Sequence, residues 1–469
     1  VNISSAPTKN MSCSAGVCSP TAKSSVLNAV DLENMLASSD VTVNTGSGAV
    51  TIEVTAPVAW ASSQRLTLNA ALNVSIKAVV AFEGTAGGVI ISTGGGGDLL
   101  FFPGGKIDLW DTTDSLVVNG SSYVLVNDVA TLASDVASNP SGFYALAKDY
   151  DAGPDGAYQN GIPGFGGLLE GLGHAVSNLA INGSSGNAVG LFQQTNSGVV
   201  IRDLSLANVN IQAQPTNTGV GAFVGQGGTN FVNVSSSGTI NGGTDTGGLI
   251  GHLLTGGNVT GSHSSATVGN KSDFTVGGLV GYAEGNIFTS YDIGRISGGP
   301  KAALGGLAGS LHGQIVQSFS NANLTSHGSV TTGGLVGGMS NEASVSDSYA
   351  MGQVTAGHFS TMGGLIGFDS GSISRSYSTT AVVYRSRAPQ KVRVGGFAGK
   401  YSGGTLDSDY WDIDTSGQSQ PCANPCHAVT GLSDTALKAG LPSGFDPAIW
   451  AQSPSINNGY PYLIANPPQ

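Results

Sequence analysis

A five-residue phrase built on glycine recurs down the second half of the chain. It reads Gly247-Gly-Leu-Ile-Gly251, Gly277-Gly-Leu-Val-Gly281, Gly305-Gly-Leu-Ala-Gly309, Gly333-Gly-Leu-Val-Gly337, Gly363-Gly-Leu-Ile-Gly367 and Gly395-Gly-Phe-Ala-Gly399. A looser copy, Gly219-Val-Gly-Ala-Phe-Val-Gly225, precedes them. Counted from Gly221, the copies start 26, 30, 28, 28, 30 and 32 residues apart. A near-constant period of this size signals an array in which one short unit stacks on the next.

A second phrase fills the gaps: Gly285-Asn-Ile-Phe-Thr-Ser-Tyr291, Gly313-Gln-Ile-Val-Gln-Ser-Phe319, Ala343-Ser-Val-Ser-Asp-Ser-Tyr349 and Gly371-Ser-Ile-Ser-Arg-Ser-Tyr377, with a weaker copy at Gly257-Asn-Val-Thr-Gly-Ser-His263. Each alternates apolar and polar residues, the period of a half-buried strand. A short Gly-x-Val or Gly-x-Ile strand follows, as at Gly294-Arg-Ile296. About three strands and three turns per repeat make one coil of a right-handed parallel β-helix, an all-β solenoid. Coils pair about 4.8 Å apart, so equivalent side chains stack. Leu249, Leu279, Leu307, Leu335, Leu365 and Phe397 are predicted to form one internal ladder. Tyr291, Phe319, Tyr349 and Tyr377 are predicted to form another, also internal and near a corner. Glycine, 73 of 469 residues, is expected to supply positive φ at the corners.

The array is predicted to run over 160–411, with about eight clear coils from 189, roughly 40 Å of stack. Residues 1–40 read as an irregular leader with a helical turn at Asp31–Leu36. Residues 41–159 read as irregular β coils interrupted by a helix near 128–137. After 411 the period stops, and 412–469 reads as a C-terminal cap over the open end, with a short helix at Ser433–Ala439 stopped by Gly440.

A net charge of −12 with only 10% charged residues argues against nucleic acid or an anionic membrane as partner. No run of 18 apolar residues predicts a membrane span, and a monomer is expected. The four cysteines form two close pairs, Cys13/Cys18 and Cys422/Cys426, read as two small disulfide loops made in an oxidising compartment. A metal site at Cys422, Cys426 and His427 is an alternative without a second ligand pair. No cofactor is implied.

The repeated Gly-Gly-Leu-Val-Gly with its Ser-Tyr partner resembles the GLUG repeat of large bacterial surface proteins. The segment Leu125–Ser134 with Gly142–Leu146 is similar to what precedes those repeats in filamentous haemagglutinin-like adhesins. So is the tail, Asp409-Tyr-Trp-Asp-Ile-Asp-Thr-Ser-Gly417 with Gly459-Tyr-Pro-Tyr-Leu463. The resemblance implies a secreted or surface-displayed adhesin segment, exported by two-partner secretion through an outer-membrane pore. It would bind a glycan or protein of a host or neighbouring cell. The Asn-Pro-Asn-Gly motif of the secretion domain is absent from the sequence, so a later portion of a longer exoprotein is expected. A purely structural spacer is an alternative.

The sharpest local anomaly is Tyr384-Arg-Ser-Arg-Ala-Pro-Gln-Lys-Val-Arg393, inside the longest repeat interval. Tyr384, Arg385, Arg387, Lys391 and Arg393 form a candidate site for an acidic glycan, because guanidinium forks match carboxylate and sulfate. Arg375 and Lys400 flank it. Asp149–Gly156 suggests a calcium loop but lacks the bidentate Glu. Asp407, Asp409, Asp412 and Asp414 cluster where the array stops. A carbohydrate-active β-helix, lyase or glycosidase, needs carboxylates converging on one face. Asp245, Asp273, Asp292 and Asp347 share no repeat position, nor do His252, His263, His312, His327 and His358, so no catalytic residue is assigned.

Overall fold

The structure, a computed structural model, describes residues 1–46, 48–184, 186–269, 274–326, 328–385 and 392–468. Arg387 and Lys391 of the basic run, and Asp273 and His327, lie outside the described residues. The chain divides into two units: Val1–Asp151 with Gly167–Val176 and Ile201–Ser205, and the remainder from Ala152 to the C-terminus. Each is a parallel β-solenoid, as the period predicts.

In the first unit the letters do not repeat, yet the coils stack. Val41 pairs with Leu66, Leu66 with Val89 and Val89 with Leu116. All four are buried, so size and β-branching rather than identity carry the core. Residues 1–40 are more ordered than a leader. Strand Val26–Asn28 lies outside Asn2–Ser4 in the same sheet, and Lys9 pairs antiparallel with Val26. Their outer edge is thereby covered. Cys13 and Cys18 face each other across a hairpin and are bonded. Helix α1, Ala29–Leu36, starts at Asn28, whose side chain accepts from the Val30 and Asp31 amides. Helix α2, Val129–Ser138, begins where predicted, with Asp128 accepting from the Thr131 amide at 2.6 Å.

In the second unit the predicted leucine column is fully buried. Each Leu amide donates to the next coil's carbonyl, Leu249 to Leu279 at 2.9 Å and Leu279 to Leu307 at 3.0 Å. Glycines such as Gly242, Gly256 and Gly352 take positive φ as expected, but those of the recurring phrase serve another purpose. None of the Gly-Gly pairs of the recurring phrase has positive φ. A Cβ on Gly277 would stand 2.0 Å from the Val280 carbonyl oxygen, and one on Gly306 2.0 Å from the Gly334 carbonyl oxygen. They permit close approach of backbone to backbone. Positive φ is taken instead at a different corner, mostly by residues with side chains: Asn233, Gly261, Thr289, Gln317, Asp347, Arg375 and Ser408, at φ of 46–59°.

The aromatic ladder faces outward, not into the coil as its alternation predicted. Successive strand residues face opposite ways. Asp292, Ser320 and Ser378 point at the Gly-Gly corners inside the coil, so Tyr291, Phe319 and Tyr377 point out. The rings His263, Tyr291, Phe319, Tyr349 and Tyr377 are stacked with centroids 4.7–5.0 Å apart and planes within 5°, the coil spacing itself. They are buried because the tail lies over them. Leu437, Phe445, Trp450, Tyr460 and Leu463 form one apolar cluster with the ladder. Tyr377 Oη donates to the Pro461 carbonyl at 2.6 Å, and Asn466 Nδ2 donates to the Ser290 and Gln317 carbonyls at 3.2 Å.

The segment after 411 therefore has two jobs. Residues up to 432 close the last coil: Val429–Leu432 pairs with Asp409–Asp412, and Phe397 and Ala398 amides donate to the Pro421 carbonyl. Cys422–Cys426 is bonded there, leaving no thiolate pair for the alternative metal reading. From 433 the chain is a strap running back along the flank. Its helix is Asp434–Leu437, shorter than predicted and ending before Gly440.

A buried serine ladder underlies the strap. The Val234 amide donates to Ser262 Oγ, the Ser262 amide to Ser290 Oγ, and so on through Ser318, Ser348 and Ser376, at 3.1–3.2 Å. Each hydroxyl donates to the carbonyl two residues back, as Ser290 does to Phe288 at 2.7 Å. The ladder ends on Asp409, whose Oδ1 accepts from the Ser376 amide at 3.0 Å.

Candidate functional site

One pocket lies within the first unit. Strand Lys106–Leu109 buries Ile107 and Leu109, so Lys106, Asp108 and then Trp110 fall on the outer face. The Leu109 amide donates to the Ala147 carbonyl at 2.8 Å, which sets Lys148 and Asp149 beside them. Asp108, Trp110, Lys148 and Asp149 line a cavity of about 360 Å³. Trp110 is 59% exposed.

His174, fully buried, forms the wall behind. Its Nε2 donates to the Ile107 carbonyl at 2.9 Å and stands 3.6 Å from Asp108 Oδ1, while Nδ1 faces Asp149 Oδ1 at 3.4 Å. Asp149 also accepts from Lys106 Nζ at 2.5 Å and from the Ala175 amide at 2.9 Å. His174, then Lys106 and that amide, hold its carboxyl far below the usual range. Asp149 is thus pinned and ionised, whereas Asp108 keeps an open face. Nothing in the sequence marked this group. Its members come from three stretches, and only Asp149 lay in a motif, the calcium-like Asp149–Gly156.

A second surface group crosses adjacent coils of the other unit. His252 and His312 flank the Tyr282 ring at 4.7 and 4.9 Å. His252 Nδ1 lies 3.8 Å from Asp245 and Nε2 3.6 Å from Glu284. Two of the histidines that share no repeat position, His252 and His312, are therefore brought to one aromatic ring.

Of the basic run, Tyr384 is 43% exposed and Arg385 and Arg393 are exposed. The flanking cations do not join them. Arg375 forms a bidentate pair with Asp347 at 2.9 and 2.8 Å, which Trp450 Nε1 also reaches at 3.2 Å. Lys400 Nζ sits 4.8 Å over the Phe368 ring.

The acids at the end of the array do not converge either. Asp409 ends the serine ladder. Asp412 caps helix α3, Ile413–Ser416, and accepts from Tyr460 Oη at 3.0 Å. Asp414 accepts from the Asp434 amide at 2.9 Å. Burial pushes the carboxyl of Asp292 well up, that of Asp369 to about 7 and that of Asp409 to about 8. Among the described residues, no three His, Cys, Asp or Glu side chains are grouped to hold a metal ion, and no helix is long and apolar enough to cross a membrane.

No protein-family model matches the chain. A stretch of 148 residues is 32% identical to halomucin from Haloquadratum walsbyi, covering 31% of this chain and 2% of halomucin's length. Among solved structures, a candidate immunoglobulin A1 protease from Bacteroides ovatus is similar at a TM-score of 0.40 and 15% identity, over 73% of this chain and 93% of that one. An IgA1 protease is similar at a TM-score of 0.41 and 17% identity, over 64% of this chain and 23% of that one.

Proposed function

We propose that this chain is a display segment of a secreted or surface-exposed protein: a β-solenoid whose flanks carry contact sites for glycans or proteins of a host or neighbouring cell. The observation that carries this is where the chemistry sits. The recurring polar side chains, Ser262 to Ser376, serve backbone groups inside the stack. Among the described side chains left outside are aromatics beside cations: Trp110 with Lys148, Phe102 under Lys77 at 5.2 Å, and Phe368 under Lys400. Such pairs make contacts with sugars rather than bonds to break. The repeat's resemblance to filamentous haemagglutinin-like exoproteins supports a stalk-like segment exported through an outer-membrane pore, and the match to a short stretch of a far longer halomucin fits a segment of a long surface protein.

The test is a glycan and host-protein array probed with the chain and with Arg385→Ala/Arg387→Ala/Lys391→Ala/Arg393→Ala. Sulfated or carboxylated glycans should be bound by the parent and at least tenfold more weakly by the variant. Equal binding removes the basic run from the proposal. A parent that binds no glycan, protein or cell overturns display and leaves the spacer.

One observation favours a polysaccharide-degrading second reading: Asp108 and Asp149 share a pocket. Incubation with polysaccharides, followed by an assay for new reducing ends or unsaturated products, decides it, since Asp108→Asn would abolish any such release.

A further inference from the structure

We propose that the pocket of Asp108, Trp110, Lys148 and Asp149 is a subsite for one neutral hexopyranose residue of an oligosaccharide. This rests on the display reading and names its ligand class at a place separate from the basic run. Three observations carry it. First, Trp110 presents an indole to solvent at a position where the strand alternation leaves it no core to join. A flat aromatic face is what the axial C–H face of a pyranose stacks on, and burying it removes apolar area from water.

Second, the polar groups divide into fixed and free. Asp149 accepts from Lys106 and the Ala175 amide, with His174 Nδ1 3.4 Å away. Among the described residues, Asp108 has only His174, at 3.6 Å, on one side. Its carboxylate can accept from two vicinal hydroxyls, as a bidentate acceptor does. Lys148 supplies the complementary donor to a hydroxyl or ring oxygen.

Third, the carboxylate and lysine charges cancel. Asp108 and Asp149 balance Lys106 and Lys148, with the Lys106–Asp149 pair closed on itself. A polyanion gains no net attraction, and a neutral sugar is not penalised. At about 360 Å³ the cavity suits one sugar ring rather than a chain, so a dissociation constant on the order of 1 mM is expected.

Trp110 also provides the readout. Trp60, Trp411 and Trp450 are at most 5% exposed, so iodide quenching of tryptophan fluorescence reports Trp110. Maltohexaose, cellohexaose and mannohexaose are titrated against the full chain, with hexagalacturonate as the acidic probe. At least one neutral hexaose should protect Trp110 from iodide and hexagalacturonate should not. By saturation-transfer NMR, Trp110→Ala should abolish that binding, Trp110→Phe should retain part of it, and Asp108→Asn should weaken it at least tenfold.

The proposal is overturned if no neutral hexaose protects Trp110, if hexagalacturonate protects it better, or if Asp108→Asn binds as the parent does. In each of those cases, array binding that survives Trp110→Ala leaves display standing without this subsite. A parent silent on the array and in the titration overturns both.

Discussion

Asp409 stands where a serine stands in the five preceding copies, before an aromatic or histidine. It takes over the serine's acceptor role for the Ser376 amide and also accepts from the Asp407 amide at 3.1 Å. Burial, with the charges of Asp407 and Asp369, pushes its carboxyl up to about 8. A carboxyl raised on folding binds its proton more tightly in the native state. The stability it contributes is complete below about pH 4, falls by about 1.4 kcal/mol per pH unit above that, and is gone above about pH 8. Asp409→Ser restores the array's own residue and removes this titration. Urea midpoints at pH 5 and pH 8 should show a smaller decline for Asp409→Ser than for the parent. An equal decline would show that Asp409 is already ionised in the folded chain. The serine's job was invisible in the sequence, where Ser-Tyr read only as alternation. A hydroxyl that bridges two coils has partners about 28 residues apart, which no local pattern reveals.

At the scale of the corner and the strand, glycine and positive φ separate. The repeated glycines are required by crowding, whereas the left-handed corner is held by Thr289, Gln317, Asp347 and Arg375 at about 1 kcal/mol or more each. The stacked coil hydrogen bonds over-determine that corner. Two glycine substitutions distinguish crowding from flexibility. Gly306→Ala would place a Cβ 2.0 Å from both the Gly334 carbonyl and Ser320 Oγ, while Gly338→Ala meets nothing within 4 Å. The first should cost at least about 3 kcal/mol, and the second should be neutral or stabilise by about 0.5 kcal/mol. Urea denaturation measures both. Similar losses at the two positions would contradict the close-approach account.

At the scale of the whole molecule, the strap decides how the second unit meets solvent. Without it, Phe319, Tyr349 and Tyr377 would present a continuous apolar stripe, which invites association. Trp450 holds it down, with ring centroids 6.0 Å from Tyr349 and 5.8 Å from Tyr377. Trp450→Ala should cost about 3–5 kcal/mol. A chain ending at Leu432 should bind the dye ANS and elute in size-exclusion chromatography as oligomers. A truncated chain that stays monomeric and dye-silent would mean that the ladder needs no cover.

Period and alternation alone determined the solenoid and the buried leucine column, because a coil's own geometry forces equivalent residues into register. Cysteine spacing located the two close pairs, and the loss of period located the place where the array ends. Three things needed the folded chain. Which side of a two-residue strand faces inward depends on what packs beyond it, and the ladder turned outward because the strap was there to bury it. The glycines' purpose depended on the neighbouring coil's carbonyls. The Trp110 pocket gathers Asp108, Lys148 and His174 from stretches that are distant along the chain and share no motif, so only the stacking of coils could bring them together.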